Sequence, residues 1–331
     1  MYFRKKHGKG FRYLDKEGKT VTDKDLKAYF KSLVIPPAWK DVEISENKGA
    51  KILVTGYDEK GRKQYIYHPN FRQKQEQKKF DRIVHFAEQL EHMRRVTGQH
   101  LRQKNPTREK VMACMVRLLE TAFFRPGSDT YAKENESYGL TTLRSKHLEI
   151  DGKEIVFSYK GKSGVEQEKH IVDARLARIV AEIDELPGYE VFKYLDENET
   201  IVDVKSEDLN QYIREIMGEE YSAKDFRTWS GTMIAAIALD ELGAEEKIGQ
   251  KQLNKNIRKA VVAVSEKLGN TPAVARNSYI DPRIIDQYLD GKTLRYFRKE
   301  VNRMLKTHQN LSANEIAVLC MLRSRLKNKV K

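Results

Sequence analysis

Tyr279 closes the segment Leu268-Gly269-Asn270-Thr271-Pro272-Ala273-Val274-Ala275-Arg276-Asn277-Ser278, whose residue types suit attack by a phenol oxygen on an electrophile. A tyrosine is nucleophilic as its phenolate, and the free phenol ionises near ~10. Neighbouring cations would lower that cost. Three basic residues, far apart in the chain, stand where they could supply them. Arg125, in Phe124-Arg125-Pro126-Gly127, follows directly on an apolar helical stretch, a place where arginine is rarely found without a partner. Arg227 falls in the first turns of a helix opened by Ser222-Ala223-Lys224-Asp225. The positive end of a helix disfavours a cation unless an anion sits there, so Arg227 points to a phosphate. Lys162, in Gly161-Lys162-Ser163-Gly164, stands at a hairpin tip, free to reach out. Each residue alone has an ordinary explanation: a packed tyrosine, a salt-bridged arginine, a solvated turn lysine. Their combination is what suggests chemistry. The Gly-Lys-Ser run is not a nucleotide-binding loop, because position 156, where that pattern needs glycine, is Val156, and strand-turn-strand is the wrong context.

The 331 residues are enough for two domains and one sizeable core. The formal net charge of +14 points to a polyanionic partner, with nucleic acid the commonest. No stretch is long and apolar enough for a membrane span, and Met1-Tyr2-Phe3-Arg4-Lys5-Lys6-His7 lacks the apolar core of a signal peptide. Cys114 and Cys320 each sit in an apolar helical pattern and are expected to be buried free thiols of an intracellular protein. No Cys/His spacing suggests zinc.

Two kinds of element must position these residues. Residues 1–78 are expected to form a small, mainly β domain. Strand-like runs at Phe11–Leu14, Lys51–Tyr57 and Gln64–His68 are separated by a helix over about 23–33, capped by Thr22 or Asp23, and by an extended Ile35-Pro36-Pro37-Ala38-Trp39. Asp58-Glu59-Lys60-Gly61 joins the last two runs as a hairpin. Around it lies the densest basic stretch with interleaved aromatics, including Lys60, Arg62, Tyr65, Tyr67 and Arg82, with both tyrosines on one strand face. That combination is how nucleic acid is gripped. Residues 79–331 are expected to be mainly helical. Ile83, Phe86, Ala87, Leu90 and Met93 recur at helical spacing from about residue 81, and Pro106-Thr107 starts the helix that leads to Arg125. A small antiparallel sheet over 146–171 turns at Asp151-Gly152 and again at Lys162. Helices follow Asp173, Ser206 and Ser222, another ends at Gly269, and two more lie beyond Gly291, the last opened by Ser312 and Glu315.

In this order and spacing the motifs resemble those of the small type IB DNA topoisomerases of viral and bacterial type, from Ile35-Pro36-Pro37-Ala38-Trp39 to just beyond Tyr279. Gly61-Arg62-Lys63-Gln64-Tyr65-Ile66-Tyr67 is similar to the family's DNA-gripping hairpin. Phe124-Arg125-Pro126-Gly127 with Tyr131, Lys133-Glu134-Asn135-Glu136 and Gly139–Leu143 resembles its first arginine region. Gly161-Lys162 resembles its lysine turn, Lys224-Asp225-Phe226-Arg227-Thr228 its second arginine motif, and Leu268–Tyr279 its nucleophile segment. The resemblance implies an α+β protein with a mainly helical catalytic domain of the tyrosine recombinase/topoisomerase IB type. It implies that Tyr279 forms a 3′-phosphotyrosine, that Lys162 protonates the departing 5′ oxygen, and that Arg125 and Arg227 clamp the non-bridging oxygens. Asn270 would donate a further hydrogen bond. Many family members carry His there, and Asn cannot exchange a proton near neutral pH, which favours an electrostatic role. Lys60, Arg62, Tyr65, Tyr67, Arg82, Tyr131, Lys133 and Lys224 would contact duplex DNA. The same resemblance implies an isomerase that acts as a monomeric, C-shaped clamp, needs neither ATP nor metal, and works on DNA inside a cell or virion.

Two other readings stand beside this one. A tyrosine recombinase would share the catalytic plan, but its second arginine motif starts with His where this chain has Lys224, and it carries Thr shortly before the tyrosine where this chain has Arg276-Asn277-Ser278. A non-enzymatic DNA-binding scaffold would leave the tyrosine and its cations unexplained.

Overall fold

The computed structural model describes residues 1–243 and 249–327. The chain divides into two compact units, Met1–Phe80 and Asp81–Lys331.

The first unit is built on a 5-stranded antiparallel sheet. Its strands are β1 (Tyr2–His7), β2 (Gly10–Leu14), β3 (Lys40–Ile44), β4 (Ile52–Tyr57) and β5 (Lys63–Tyr67), in the order β2-β1-β3-β4-β5. Helix α1 (Lys24–Ser32) starts where Asp23 accepts the Leu26 N–H at 2.8 Å and buries Phe30 with Val42, Ile44, Leu53 and Val54. β1 and β3 escape the sequence reading because their charges obscure any alternation. The Pro36–Trp39 stretch is a tight turn, not an extended segment. Trp39 N donates to Pro36 O at 3.1 Å, and the buried Arg4 guanidinium donates to the Ile35, Pro36 and Trp39 carbonyls. β4 and β5 form the expected hairpin, with Asp58 accepting the Lys60 and Arg62 N–H groups at 3.0 Å and Gly61 at φ +71°.

Helix α2 (Pro69–His100) runs across the division between the units. It begins well before the expected residue 81; its first turns, Asn70 to Lys79, carry no apolar stripe that would announce them. The second unit then contains α3 (Arg108–Ala122), α4 (Asp129–Asn135), the antiparallel sheet β6 (Leu148–Asp151), β7 (Glu154–Lys160) and β8 (Glu166–Val172), and α5 (Ala174–Asp184). A short pair β9 (Lys193–Leu195) and β10 (Ile201–Asp203) precedes α6 (Ser206–Met217), α7 (Ala223–Leu242), α8 (Gln250–Leu268) and α9 (Pro272–Ser278). Helices α10 (Pro282–Leu289), α11 (Arg298–Met304) and α12 (Ala313–Lys327) follow. α3 is buried on most of its faces, from Val111 to Leu119, so the core surrounds it. Cys114 is fully buried in it, whereas Cys320 is only partly buried; neither is disulfide-bonded. The hydroxyl of Thr107 caps α3, Asp173 caps α5, and Ser312 with Glu315 opens α12. Among the described residues no helix is long and apolar enough to cross a membrane.

Candidate active site

Arg227 leaves the first turns of α7 and is 2% exposed. Its partners are backbone carbonyls. Nη1 donates to Phe123 O and Nη2 to Leu268 O, the latter at 2.7 Å. Phe123 ends α3 in the left-handed region at φ 59°, and Leu268 ends α8 just before Gly269, also at φ 59°. The guanidinium therefore bridges the carboxyl ends of two helices, where the unsatisfied carbonyls carry partial negative charge. That is how a cation can be buried at the amino end of its own helix before any anion arrives. Because carbonyls rather than a carboxylate hold it, its full charge remains available, and its buried Nε has no partner.

Arg125 is held by the strap that follows α3. Leu140 N donates to Arg125 O at 2.9 Å and Thr141 N to Pro126 O at 2.7 Å. Gly127 and Gly139 meet backbone to backbone, for a Cβ on Gly139 would stand 2.6 Å from Gly127 Cα. The Arg125 guanidinium donates to Gly269 O at 3.0 Å and to Asn270 Oδ1. With its oxygen so engaged, Asn270 keeps a buried Nδ2 without a partner. A buried amide donor left unpaired costs free energy in the empty site, and an arriving acceptor recovers it.

Tyr279 follows α9, whose start is fixed by Thr271 Oγ1 accepting the Val274 N–H at 3.3 Å. Its backbone docks on α7. The Thr232 hydroxyl donates to Tyr279 O at 3.3 Å, and Gly231 lets the strands of chain approach, since a Cβ there would stand 2.7 Å from that oxygen. The helix that carries Arg227 thus also holds the tyrosine, with the Arg227 Cζ 5.1 Å from the ring centroid. Burial by itself raises the phenol pKa. The charge of Arg227 and its hydrogen bond, with Arg125 and Lys224, outweigh burial and bring the pKa below the usual tyrosine value. Tyr159 also feels both arginines, but there burial wins and its pKa is pushed up to about 12. Of these two tyrosines, only Tyr279 is prepared to ionise.

Lys162 is exposed at the β7–β8 turn, where Ser163 and Gly164 adopt φ of 65° and 76°. A second lysine feels the charges of this cluster, and the sequence reading missed it. Lys169 on β8 donates to Lys267 O at 3.2 Å, and burial, followed by the charges of Arg227, Arg125 and Lys267, lowers its pKa to about 8. The period-two run Gln167-Glu168-Lys169-His170-Ile171 was the available signal, since it places Lys169 on the face of Gln167 and buried Ile171.

The residues expected to touch DNA lie as follows. Lys60 and Arg62 occupy the β4–β5 turn, with Arg62 tied to Asp58 at 2.7 Å. Tyr65 and Tyr67 are 43% and 42% exposed, their rings stacked with centroids 6.0 Å apart. Tyr131 and Lys133 are exposed on α4, and Lys224 is exposed in the first turn of α7. Arg82 is engaged within the second unit. It binds the buried Asp225 at 2.7 Å, and Asp225 accepts the Ser222 N–H at 3.0 Å, so Arg82 secures the start of the helix that carries Arg227.

A phenol facing guanidiniums that no carboxylate among the described residues neutralises, at the joined ends of helices, is equipped to exchange phosphoryl groups with a polyanion. The comparisons agree. Residues 68–320 match the family described as eukaryotic DNA topoisomerase I, catalytic core, and residues 10–58 match the bacterial DNA topoisomerase IB N-terminal domain. The DNA topoisomerase 1B of Acanthamoeba polyphaga mimivirus is 32% identical over 292 residues, covering 86% of this chain and 87% of the viral one. The DNA topoisomerase 1B of Vaccinia virus (strain Copenhagen) is 27% identical over 305 residues, covering 84% and 90% of the two chains. The chain belongs to the type IB DNA topoisomerase family.

Proposed function

We propose that this protein relaxes supercoiled duplex DNA by cutting and resealing one strand through Tyr279. The observation that carries this reading is the placement of Tyr279, Arg227, Arg125 and Asn270 around the meeting ends of α3, α8 and α7. The Tyr279 oxygen forms a bond to phosphorus as the P–O5′ bond breaks. The phenol proton passes to solvent, and the Lys162 ammonium gives a proton to the departing O5′. Arg227 and Arg125 bear the charge of the non-bridging oxygens, and the unpaired Asn270 Nδ2 donates to one of them. The free 5′ end swivels under torsion and then attacks the tyrosyl ester, reversing each step. The bond energy is kept in the ester, so the cycle requires neither ATP nor a metal.

The test is relaxation of plasmids of both supercoil signs in EDTA without ATP. A requirement for paired DNA sites would instead mark a recombinase, and inert binding a scaffold. The protein is proposed to act inside the cell as a monomer that closes around the duplex as a C-shaped clamp. Tyr65, Tyr67, Lys60 and Arg62 of the first unit would grip DNA, with Tyr131, Lys133 and Lys224 of the second. Duplex affinity should then fall steeply between low and moderate salt; an affinity that barely changes removes the clamp.

Asn270→Ala is expected to slow single-turnover cleavage on the order of 10²-fold, the scale for loss of one preorganised donor. Asn270→His should keep much of the rate, since an imidazole N–H can stand in. If Asn270 merely shaped its turn, Asn270→Gly would be as fast as wild type.

The charge on Lys169 predicts a pH effect on binding. As pH rises through about 8, Lys169 loses its proton and the site loses one positive charge. In a Tyr279→Phe background, which removes the phenol's own titration, duplex affinity should fall roughly five-fold from pH 7 to 9, about one ion contact. Adding Lys169→Met should abolish that slope. A slope that survives the second substitution assigns it to another group.

A further inference from the structure

The side chain of Gln167 fills the space between the two turns that carry Lys162 and Asn270. It is 9% exposed and projects from β8. On one side it meets Gly161, the residue before Lys162, where a Cβ would stand 2.8 Å from Gln167 Cγ. On the other it meets Gly269, the residue before Asn270, where a Cβ would stand 2.7 Å from Nε2 and 2.9 Å from Cδ. Both neighbours are glycine, and both sites have room for Gln167 only on that condition. The base of the Lys162 turn is also held by the β7–β8 ladder, which pairs Lys160 with Glu166, and by the Tyr138 N–H, which donates to Lys160 O at 2.8 Å; the turn itself has less. Gly161 N donates to Val165 O at 2.8 Å and Gly164 N to Gly161 O at 3.1 Å, while residues 162–166 are exposed. The Asn270 turn is anchored firmly, because Gly269 O and Asn270 Oδ1 both accept from Arg125.

We propose that Gln167 is a positioning residue, a strut that fixes the base of the Lys162 hairpin against the Asn270 turn and so sets where the lysine meets the leaving oxygen. This rests on the reading of Lys162 as the general acid. The Gln167 amide donates to Glu166 O at 3.1 Å, and in this proposal it touches neither the phosphate nor the tyrosine. It acts by distance. Shortening it to alanine leaves a gap into which the hairpin base can shift, and a displacement of about 1 Å can cost on the order of 10²-fold in rate.

The experiment measures single-turnover cleavage of two duplexes that differ in one atom, oxygen or sulfur at the 5′ leaving position. A thiolate departs without a proton, since thiols ionise near ~8.5. Lys162→Ala should be slow on the oxygen duplex and restored on the sulfur one. Gln167→Ala should show the same pattern, slower on the order of 10²-fold with oxygen and near wild type with sulfur, with non-covalent duplex affinity unchanged. Gln167→Met, which keeps the shape without the amide, should retain most of the oxygen rate, and it serves as the folded control should the alanine variant lose structure. Equal slowing of Gln167→Ala on both duplexes, or a Gln167→Met as slow as Gln167→Ala, overturns the strut. Failure of sulfur to restore Lys162→Ala overturns the general-acid reading itself, and is told apart because it appears without any change at Gln167.

Discussion

Tyr279→Phe is expected to bind duplex DNA with close to wild-type affinity and to form no covalent adduct, with relaxation lost altogether. The affinity should be preserved because the proposed phosphate contacts belong to Arg125, Arg227, Lys224 and the hairpin of the first unit, whose charges remain when the phenol oxygen is removed. The ring remains packed on α7, as its backbone anchors to Thr232 and Gly231 do not involve the hydroxyl. The loss should be complete because the other tyrosine that both arginines reach is not prepared to ionise. Tyr159 is the nearest rival in charge environment, but its burial drives its pKa to about 12, while the pKa of Tyr279 is lowered by Arg227, Arg125 and Lys224 acting against burial. Denaturing gels of protein mixed with end-labelled duplex measure the adduct, and filter binding measures affinity. An adduct in the phenylalanine variant, or a peptide map that places it on any tyrosine but Tyr279, would remove the central assignment.

The contrast between these two tyrosines shows where sequence reasoning stops. Tyr279 could be proposed only from its combination with the basic motifs, and Arg227 from its unfavourable place at a helix start. What satisfies Arg227 could not be read, because Phe123 O and Leu268 O contribute backbone rather than side-chain identity and come from positions distant in the chain. Lys169 was passed over for a related reason. A lysine on a short strand reads as solvated, and only the packing of β8 against the end of α8 half-buries it beside two arginines. Elements with a strong period were legible: α3 with its apolar stripe, the β6–β8 meander with its two glycine turns, and the capping boxes at Ser222 and Ser312. Elements held by long-range contacts were not. β1 and β3 pair through a register that their charged sequences do not announce, and the first turns of α2 hold no apolar residue pattern. Arg82 illustrates a third limit. Its sequence neighbourhood says nucleic acid but gives no hint that its guanidinium also binds Asp225, a residue far along the chain.

Arg227→Ala is expected to slow cleavage on the order of 10³-fold, the upper end for removal of one preorganised electrostatic group. Arg125→Ala should fall nearer 10²-fold on the same scale. The difference follows from what each guanidinium does. In the proposed mechanism Arg227 would act on both reacting partners, since it lowers the pKa of Tyr279 by charge and hydrogen bond and has an unpartnered Nε for the phosphate. Arg125 influences the tyrosine by charge alone and less than Arg227 does, and its Nη2 donates to Gly269 O and Asn270 Oδ1. The pH dependence separates these contributions. Without Arg227 the phenol loses its main source of stabilisation while burial continues to oppose ionisation, so its pKa moves upward. The rising limb of the cleavage rate should therefore shift to higher pH in Arg227→Ala, and much less in Arg125→Ala. Arg227→Lys should rescue little. A single ammonium cannot span two helix-end carbonyls and still present a planar donor pair to a phosphate. Thermal melts of each variant identify any part of the loss that comes from unfolding, because the carbonyls of Phe123 and Leu268 lose their partner in Arg227→Ala. An Arg227→Ala enzyme that folds, cleaves within tenfold of wild type and keeps the same pH limb would take Arg227 out of the reaction and leave it as a helix-end brace.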